Sequence, residues 1–431
     1  MQGVLGRNVT AAPASAKDRA TSRDPDLPGR LPVRVAYFGP DLDDPAVRRR
    51  VAQWRHAGFD VVATAFARRG GALEQPDGTI NLGRVIARSR LRRIVPLVMA
   101  ALRLFSLRKR LAGVDLFIAR NVDNAFLALL VRRITGSPAP LVYEVLDINT
   151  SCTGGGLQSL FLRRLERWAL ARTCLLVVSS PHFVTAYYQR LLDASAKWFL
   201  FENKVPRYAL LPQNNRVRAP EPIQGGTQRP WRIGWFGYLD DERSWHILRR
   251  LALALPDRVS LYIRGMPYDN FDMENFLRDI EQMSNVVYGG PFRNPEDLAE
   301  IYHAVDIVWS ADCNELDANS KWLLTNGIYE AGYFGKPVIG LARTAIGEFL
   351  SQYRSGWCLD NPADEQLITL MRELTVEGYR AKRDAILALR EDCFVETDEV
   401  EMLWTLVQNQ KRWQPAAVNV RSRSPEPGAL S

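Results

Sequence analysis

A chain of 431 residues is longer than one ordinary hydrophobic core sustains, so two or three domains are expected. Hydrophobic residues make up 47% and charged residues 24%, the balance of a globular, soluble chain and not of a disordered one. The formal charge of +8 points to an anionic partner: a nucleotide diphosphate, a membrane surface or a nucleic acid.

Residues 1–31 mix Arg, Asp, Ala, Pro and Ser without an apolar run, which reads as a disordered tail and not as a secretory signal. A strand pattern then runs from Val33 to Gly39. Pro40 and a group of aspartates lead into a helix pattern from Ala46 to Ala57, and the next strand pattern covers Phe59 to Phe66. Strand, Gly-containing turn, helix, strand is how a parallel α/β domain begins. Gly39 either lets a backbone come close to a ligand or serves a plain turn.

From Arg84 to Arg110 the chain carries nine Lys or Arg and no acid, around the apolar Ile94 to Leu107, which Pro96 and Arg103 interrupt. Such a segment suits an anionic leaflet; it equally suits a helix packed on the sheet with a solvated basic rim. No recognised nucleic-acid motif accompanies the charge, so nucleic acid is not expected as a partner.

The rhythm continues with strands at Val114–Arg120, Pro140–Leu146, Leu175–Ser179 and Trp198–Phe201, and helices at Asn124–Ile134, Gln158–Arg172 and Pro181–Leu192. Glu144 and Asp147 stand near the end of one strand, as site carboxylates or as turn caps. Gly154-Gly155-Gly156 lacks the Lys and Ser/Thr of a P-loop and reads as a flexible acceptor loop. Residues 206–230 hold five prolines and Gly225-Gly226, a linker between a domain at 32–205 and one at 231–395.

The second unit starts afresh with the strand Trp231–Phe236, Gly237 and the helix Trp245–Ala254. The strand Val259–Arg264 ends at Gly265, and strands follow at Val286–Tyr288 and Asp306–Ser310. Two open parallel sheets bind ligands beyond the carboxyl ends of their strands, and two that face each other enclose a cleft. Asn319-Ser-Lys-Trp-Leu-Leu-Thr-Asn-Gly-Ile-Tyr-Glu330 is a polar loop entering a helix, predicted at Leu323–Phe334 and stopped by Gly335-Lys336-Pro337 before the strand Val338–Gly340. Lys321 and the free N–H groups of the helix start can hold a diphosphate. Glu330, among apolar and small residues, needs a partner: a ribose hydroxyl, or an arginine in a buried ion pair. The five cysteines are scattered without a C-x-x-C pair, and none of the four histidines has metal-ligand spacing to another. Neither a disulfide framework nor a metal site is expected, and a reducing cytosol is. No stretch reaches the about 18 uncharged apolar residues that span a bilayer.

The polar loop, Glu-bearing helix and Gly-x-Pro-Val-Ile strand resemble the donor region of family 4 glycosyltransferases. The form Asn-Ser-Lys-Trp-Leu-Leu-x-Asn-x-x-Tyr-Glu, with Tyr143-Glu-Val-Leu-Asp-Ile148 and Phe201-Glu-Asn-Lys204, resembles the bacterial exopolysaccharide, succinoglycan-type branch. The resemblance covers about residues 33–412 and is most specific from Asp306 to Gly340.

It implies an α/β chain of the GT-B fold, two doubly wound Rossmann-like domains facing a cleft, with a final helix at 396–412 crossing back to the first domain before a disordered tail at 413–431. It implies that Gly39, Gly237, Arg243, Arg264, Lys321, Asn326 and Glu330 bind the donor: Glu330 the ribose, Arg243 the phosphates, Arg264 as a weaker candidate. The usual motif has an earlier glutamate where this chain has Trp322, so sugar handling passes to Lys321 and Asn326, or to Glu315 and Asp317. Asp147 stands nearest to the place of a histidine that faces the sugar.

The implied reaction moves a hexose from a nucleotide diphosphate-sugar, UDP-linked, to a lipid-linked saccharide in exopolysaccharide or cell-surface glycan synthesis. Retention, with no metal or cofactor, is expected. Arg243, Lys321 and helix-terminal N–H groups would stabilise the leaving diphosphate, and Asp147 would be the base of an inverting variant. The implied place is cytoplasmic, peripheral on the inner face of the plasma membrane. Two alternatives stand: another GT-B enzyme such as a nucleotide-sugar epimerase, and a non-catalytic nucleotide-sugar-binding subunit.

Overall fold

The computed structural model describes residues 32–67, 78–84, 91–192, 197–212, 216, 229–268, 271–314 and 319–410. Among the described residues the strands form two sheets, and every pairing between strands is parallel.

The first sheet has seven strands: β1 (Arg34–Gly39), β2 (Asp60–Ala67), β3 (Ile80–Arg84), β4 (Leu116–Arg120), β5 (Leu141–Val145), β6 (Leu175–Val178) and β7 (Trp198–Leu200). Their order is β3-β2-β1-β4-β5-β6-β7. The chain winds outward from β1, returns beside it at β4 and winds the other way, so the switch point lies between β1 and β4. The second sheet repeats the plan with β8 (Trp231–Leu239), β9 (Val259–Pro267), β10 (Val286–Tyr288), β11 (Ile307–Trp309), β12 (Val338–Leu341) and β13 (Gly356–Leu359), in the order β10-β9-β8-β11-β12-β13. This doubly wound α/β pair is the expected fold class. The short β3 and β13 have no distinct sequence signal.

Apolar layers cover both faces of each sheet. One face of the first sheet carries α2 (Leu91–Ser106), α3 (Asn121–Thr135) and α4 (Leu157–Leu170). Pro96 and Arg103 do not interrupt α2. Pro96 lies inside the helix, where it removes one backbone hydrogen bond, and the helix continues past it to Ser106. Arg103 turns inward, donating to the Leu82 carbonyl over Gly83, whose φ of +114° excludes most side chains. Arg88 and Arg90 of the basic segment, the tails at 1–31 and 413–431 and most of the linker lie outside the described residues.

The other face carries α1 (Pro45–His56) and the last helix, α14 (Glu399–Gln410). Val400, Leu403, Trp404 and Val407 of α14 join Trp54, Phe59 and the strand residues of the first domain in one cluster. The two passages of the chain between domains run side by side. Val205 and Val395 form a parallel bridge, with Val205 N–H donating to the Phe394 carbonyl and Glu396 N–H to the Val205 carbonyl, both at 2.9 Å.

In the second domain, Lys336 is buried after the helix stop, and its ammonium donates to the Val305 carbonyl at 2.8 Å. Loss of water lowers it from 10.5 to about 8. The unfolded chain then binds more protons between these values, so the folded state gains stability as pH rises from about 8 to about 10.5. In thermal melts across that window, the wild type should gain on Lys336→Met by on the order of 3 kcal/mol. Parallel curves for the two proteins would refute the assignment.

Candidate active site between the two sheets

The carboxyl ends of the two sheets face each other. Asn319, after β11, accepts the Ile148 N–H from beyond β5 at 3.0 Å, and His182 Nε2, after β6, lies 3.4 Å from Glu348 Oε2, after β12. Five further helices are α5 (Pro181–Ala186), α6 (Glu242–Ala254), α9 (Asn319–Trp322), α10 (Asn326–Tyr333) and α11 (Ala345–Tyr353), with α7 (Met273–Glu281) and α8 (Leu298–His303) between α6 and α9, and α12 (Ala363–Glu373) and α13 (Val376–Leu387) before α14.

On the second-domain wall, Asp241 caps α6 by accepting the Ser244 N–H, and the same carboxylate accepts the Cys313 N–H at 2.7 Å. This ties the loop after β11 to the start of α6. Arg243 stands exposed in the first turn, with Nη1 3.4 Å from the Cys313 carbonyl. Asp312 of the loop hydrogen-bonds Ser320, the residue before Lys321; burial raises the Asp312 carboxyl and that bond opposes the rise. Lys321 is exposed. Asn326 opens α10, whose N-cap Thr325 gives no side-chain cap, because its hydroxyl is bonded to Ser310 at 2.7 Å. Among the described residues the first N–H groups of α10 thus receive no cap from the N-cap side chain, which favours an anion there. The structure thus gathers Arg243, Lys321 and Asn326 around one loop. Burial pushes the thiol of Cys313 up to about 12, which leaves it inert as a nucleophile.

On the first-domain wall, Asp147 opens into the cleft just past β5. The cleft walls strip water from its carboxyl and raise it above the usual range; Arg120 opposes the rise and Asp44 adds to it. Arg120, at the end of β4, is 3% exposed and pairs with Asp44 at 3.0 Å. Glu144 is no cleft carboxylate: it is buried, 2.6 Å from Arg50 Nε, and also accepts from the Tyr37 hydroxyl.

The other residues expected at the donor have partners within the protein. Glu330 is 5% exposed and its oxygens serve the protein. Arg49 Nη2 and Asn294 Nδ2 each donate to Oε1 at 2.9 Å, and the Tyr302 hydroxyl donates to Oε2 at 2.9 Å. Burial, with the charge of Glu330, pushes the Tyr302 phenol well above its ordinary range. Of the two partners the sequence allowed, the structure has the arginine, and it comes from α1 of the other domain. The donors of Arg264 are committed to the Gly290 and Pro291 carbonyls and the Tyr262 hydroxyl, so it pins the loop after β10. Gly39 makes room for the chain itself: a Cβ there would stand 3.0 Å from the methyls of Val47 in α1. Gly237 lies within β8 at φ +135° with open space around it, opposite Gly265. Glu315 and Asp317 fall outside the described residues.

The three phrases of the resemblance converge here. Glu202 accepts from the Tyr329 hydroxyl at 2.8 Å, the Asn203 carbonyl accepts from Arg49, and Lys204 bridges Glu202 and Glu399. Ile148 closes on Asn319. Arg49, Asn294 and Tyr302 escaped the sequence reading. Arg48-Arg49-Arg50 looks like a solvated helix face, and nothing local marks two of the three as buried.

Two parallel, doubly wound sheets that face each other across a cleft are the architecture of the GT-B fold. Solved structures of that architecture include sucrose-phosphate synthase from Thermosynechococcus elongatus, with a TM-score of 0.63 at 15% identity over 88% of this chain and 98% of the other. Anabaena Alr3699/HepE in complex with UDP and glucose also has a TM-score of 0.63, at 15% identity over 88% of this chain and 100% of the other. The chain belongs to the family of the succinoglycan biosynthesis protein ExoL of Rhizobium meliloti (strain 1021), with which it shares 34% identity over 355 residues, 80% of this chain and 86% of that protein. No family model matches the chain.

Removing one partner of the Arg49–Glu330 pair strands a buried charge, at a cost of about 3–5 kcal/mol. Arg49→Met and Glu330→Gln should each destabilise on that scale, and the double variant by clearly less than their sum. Urea unfolding of the four proteins measures the coupling. Calorimetry with UDP supplies a second check: the affinity of Glu330→Gln should stay within about threefold of the wild type, and a larger loss in a folded protein would restore a ribose role.

Proposed function

We propose that this chain transfers a hexosyl group from a UDP-sugar to a lipid-linked saccharide in exopolysaccharide synthesis, with retention of configuration and without a metal. The observation that carries this reading is the gathering of Arg243, Lys321 and the uncapped start of α10 around the loop after β11, across the cleft from Asp147. Cations and N–H groups fixed at one wall favour a diphosphate, and favour it more as its bond to the sugar breaks and negative charge grows. The UDP and glucose held by the Anabaena protein of the same fold support the donor class.

In this scheme the acceptor hydroxyl attacks from the face the diphosphate leaves, and a diphosphate oxygen takes its proton. Asp147 accepts a hydrogen bond from the sugar side. Its raised carboxyl also suits a base, the role it would have in an inverting variant. Glu330 acts from beneath by holding the domains in register.

Access to a lipid-linked acceptor fits the outer side of the α2–α4 layer. Val95, Val98, Met99, Leu102 and Phe105 of α2 are exposed, as are Leu157 and Phe161 of α4, with Arg108, Lys109 and Arg164 among them. Among the described residues no helix is long and apolar enough to cross a membrane. This face suits shallow, peripheral contact with an anionic leaflet, the cytoplasmic one.

Two measurements test the reading. Arg243→Ala and Lys321→Ala should each lower turnover of diphosphate release, by on the order of a hundredfold, more than they raise the Michaelis constant for donor. Full turnover with only weakened affinity would remove the leaving-group role, loss of activity with a chelator would remove the metal-free scheme, and no release with any UDP-sugar would favour a non-catalytic subunit. Co-sedimentation with anionic vesicles should fall severalfold in Val98→Asp/Leu102→Asp and with rising salt; equal binding of this variant and the wild type would remove the membrane face.

A further inference from the structure

The four-residue helix α9 belongs by sequence to the second domain, yet its two end residues are spent on the first. Trp322 and the following Leu323 pack against the first domain's core cluster, which includes Val178, Phe183, Val184 and Leu191. Helix α9 touches α5, and Asn319 at its other end accepts the Ile148 N–H. Ser320 is buried and bonded to Asp312, and Leu324 turns back into the second domain's core. Between these anchors Lys321 stays exposed. The segment is therefore held on both domains at once, with one cation left over.

We propose that Trp322 is a positioning residue for the transfer reaction: with Asn319 it clasps the donor domain to the acceptor domain and so holds Lys321 and the start of α10 against the wall that carries Asp147. The inference rests on the proposed transfer chemistry for the role of Lys321; the clasp itself rests on packing alone. It also accounts for the departure from the two-glutamate donor motif. A carboxylate at 322 would have to enter an apolar cluster, where an unpaired charge is costly. An indole gains by the same burial.

The test uses the full chain and the variants Trp322→Ala, Trp322→Phe, Trp322→Glu and Asn319→Ala. The readouts are diphosphate release from a UDP-sugar, UDP affinity by calorimetry and radius of gyration by solution X-ray scattering. Trp322→Ala should lose at least tenfold in turnover, keep UDP affinity within about threefold, and expand in solution, since the nucleotide wall is intact while the domains part. Trp322→Phe should recover most of the turnover, and Asn319→Ala should lose less than Trp322→Ala. Unchanged scattering in a folded Trp322→Ala, or full turnover in it, overturns the clasp. Higher turnover in Trp322→Glu than in the wild type also overturns it, by showing that position 322 faces the sugar. If the wild type releases no diphosphate while Trp322→Ala still expands, the clasp stands and the transferase reading falls.

Discussion

An unpaired carboxylate cannot stay ionised in an apolar interior, and among the described residues the only guanidinium bonded to Glu330 comes from the other domain. That constraint organises the molecule. Arg49 sits on α1, next to Arg50, which neutralises Glu144 of β5, and one turn from Gln53, which reaches Glu396 at the return crossing. One helix thus connects the first sheet, the second domain and the last helix. The relative placement of the two sheets depends on charge compensation as well as on apolar contact, and charge compensation has a single solution. Apolar surfaces slide at little cost, whereas a bidentate-capable guanidinium against a carboxylate does not.

This division explains what could be read from the residues alone. The fold follows from periodicity: apolar runs at strand length, helix patterns between them, and a restart at Trp231 after a proline-rich stretch. Such patterns say which side of an element is buried. They do not say what it is buried against. Arg49 and Arg50 therefore look like a basic rim, and Glu330 admits two partners equally. Arg264 looks free because the carbonyls it serves lie some 26 residues along the chain. Of the helix predicted from Leu323 to Phe334, Asn326–Tyr333 is helical as α10; Leu323 to Thr325 form a break before it, and the short helix α9 precedes the break. The break follows from side chains on either side of it being claimed by different domains, a fact with no local signature. Lys321 beside a helix start, by contrast, needs no distant partner to suggest an anion, whereas Arg243 stands out through the resemblance alone.

The two walls of the cleft divide their work by chemistry. The second-domain wall presents the exposed cations Arg243 and Lys321 and the start of α10, which has no side-chain cap. The first-domain wall presents Asp147, whose carboxyl loss of water raises above its usual range while Arg120 opposes the rise. The short segment that carries Lys321 supplies some of the contacts that join the walls, beside the pairs His182–Glu348 and Arg49–Glu330.

The paired crossings at Val205 and Val395 bear on how the molecule is made. The first domain leaves the ribosome early, but its outer face beside α1 is filled by Val400, Leu403, Trp404 and Val407. Until those residues emerge, Trp54 and Phe59 keep an apolar surface open, and the second domain must be synthesised in full before that surface is covered. The domain that begins the chain is thus the last to be finished, and a product truncated anywhere before α14 carries an uncovered patch that marks it as incomplete to any factor that recognises exposed apolar surface.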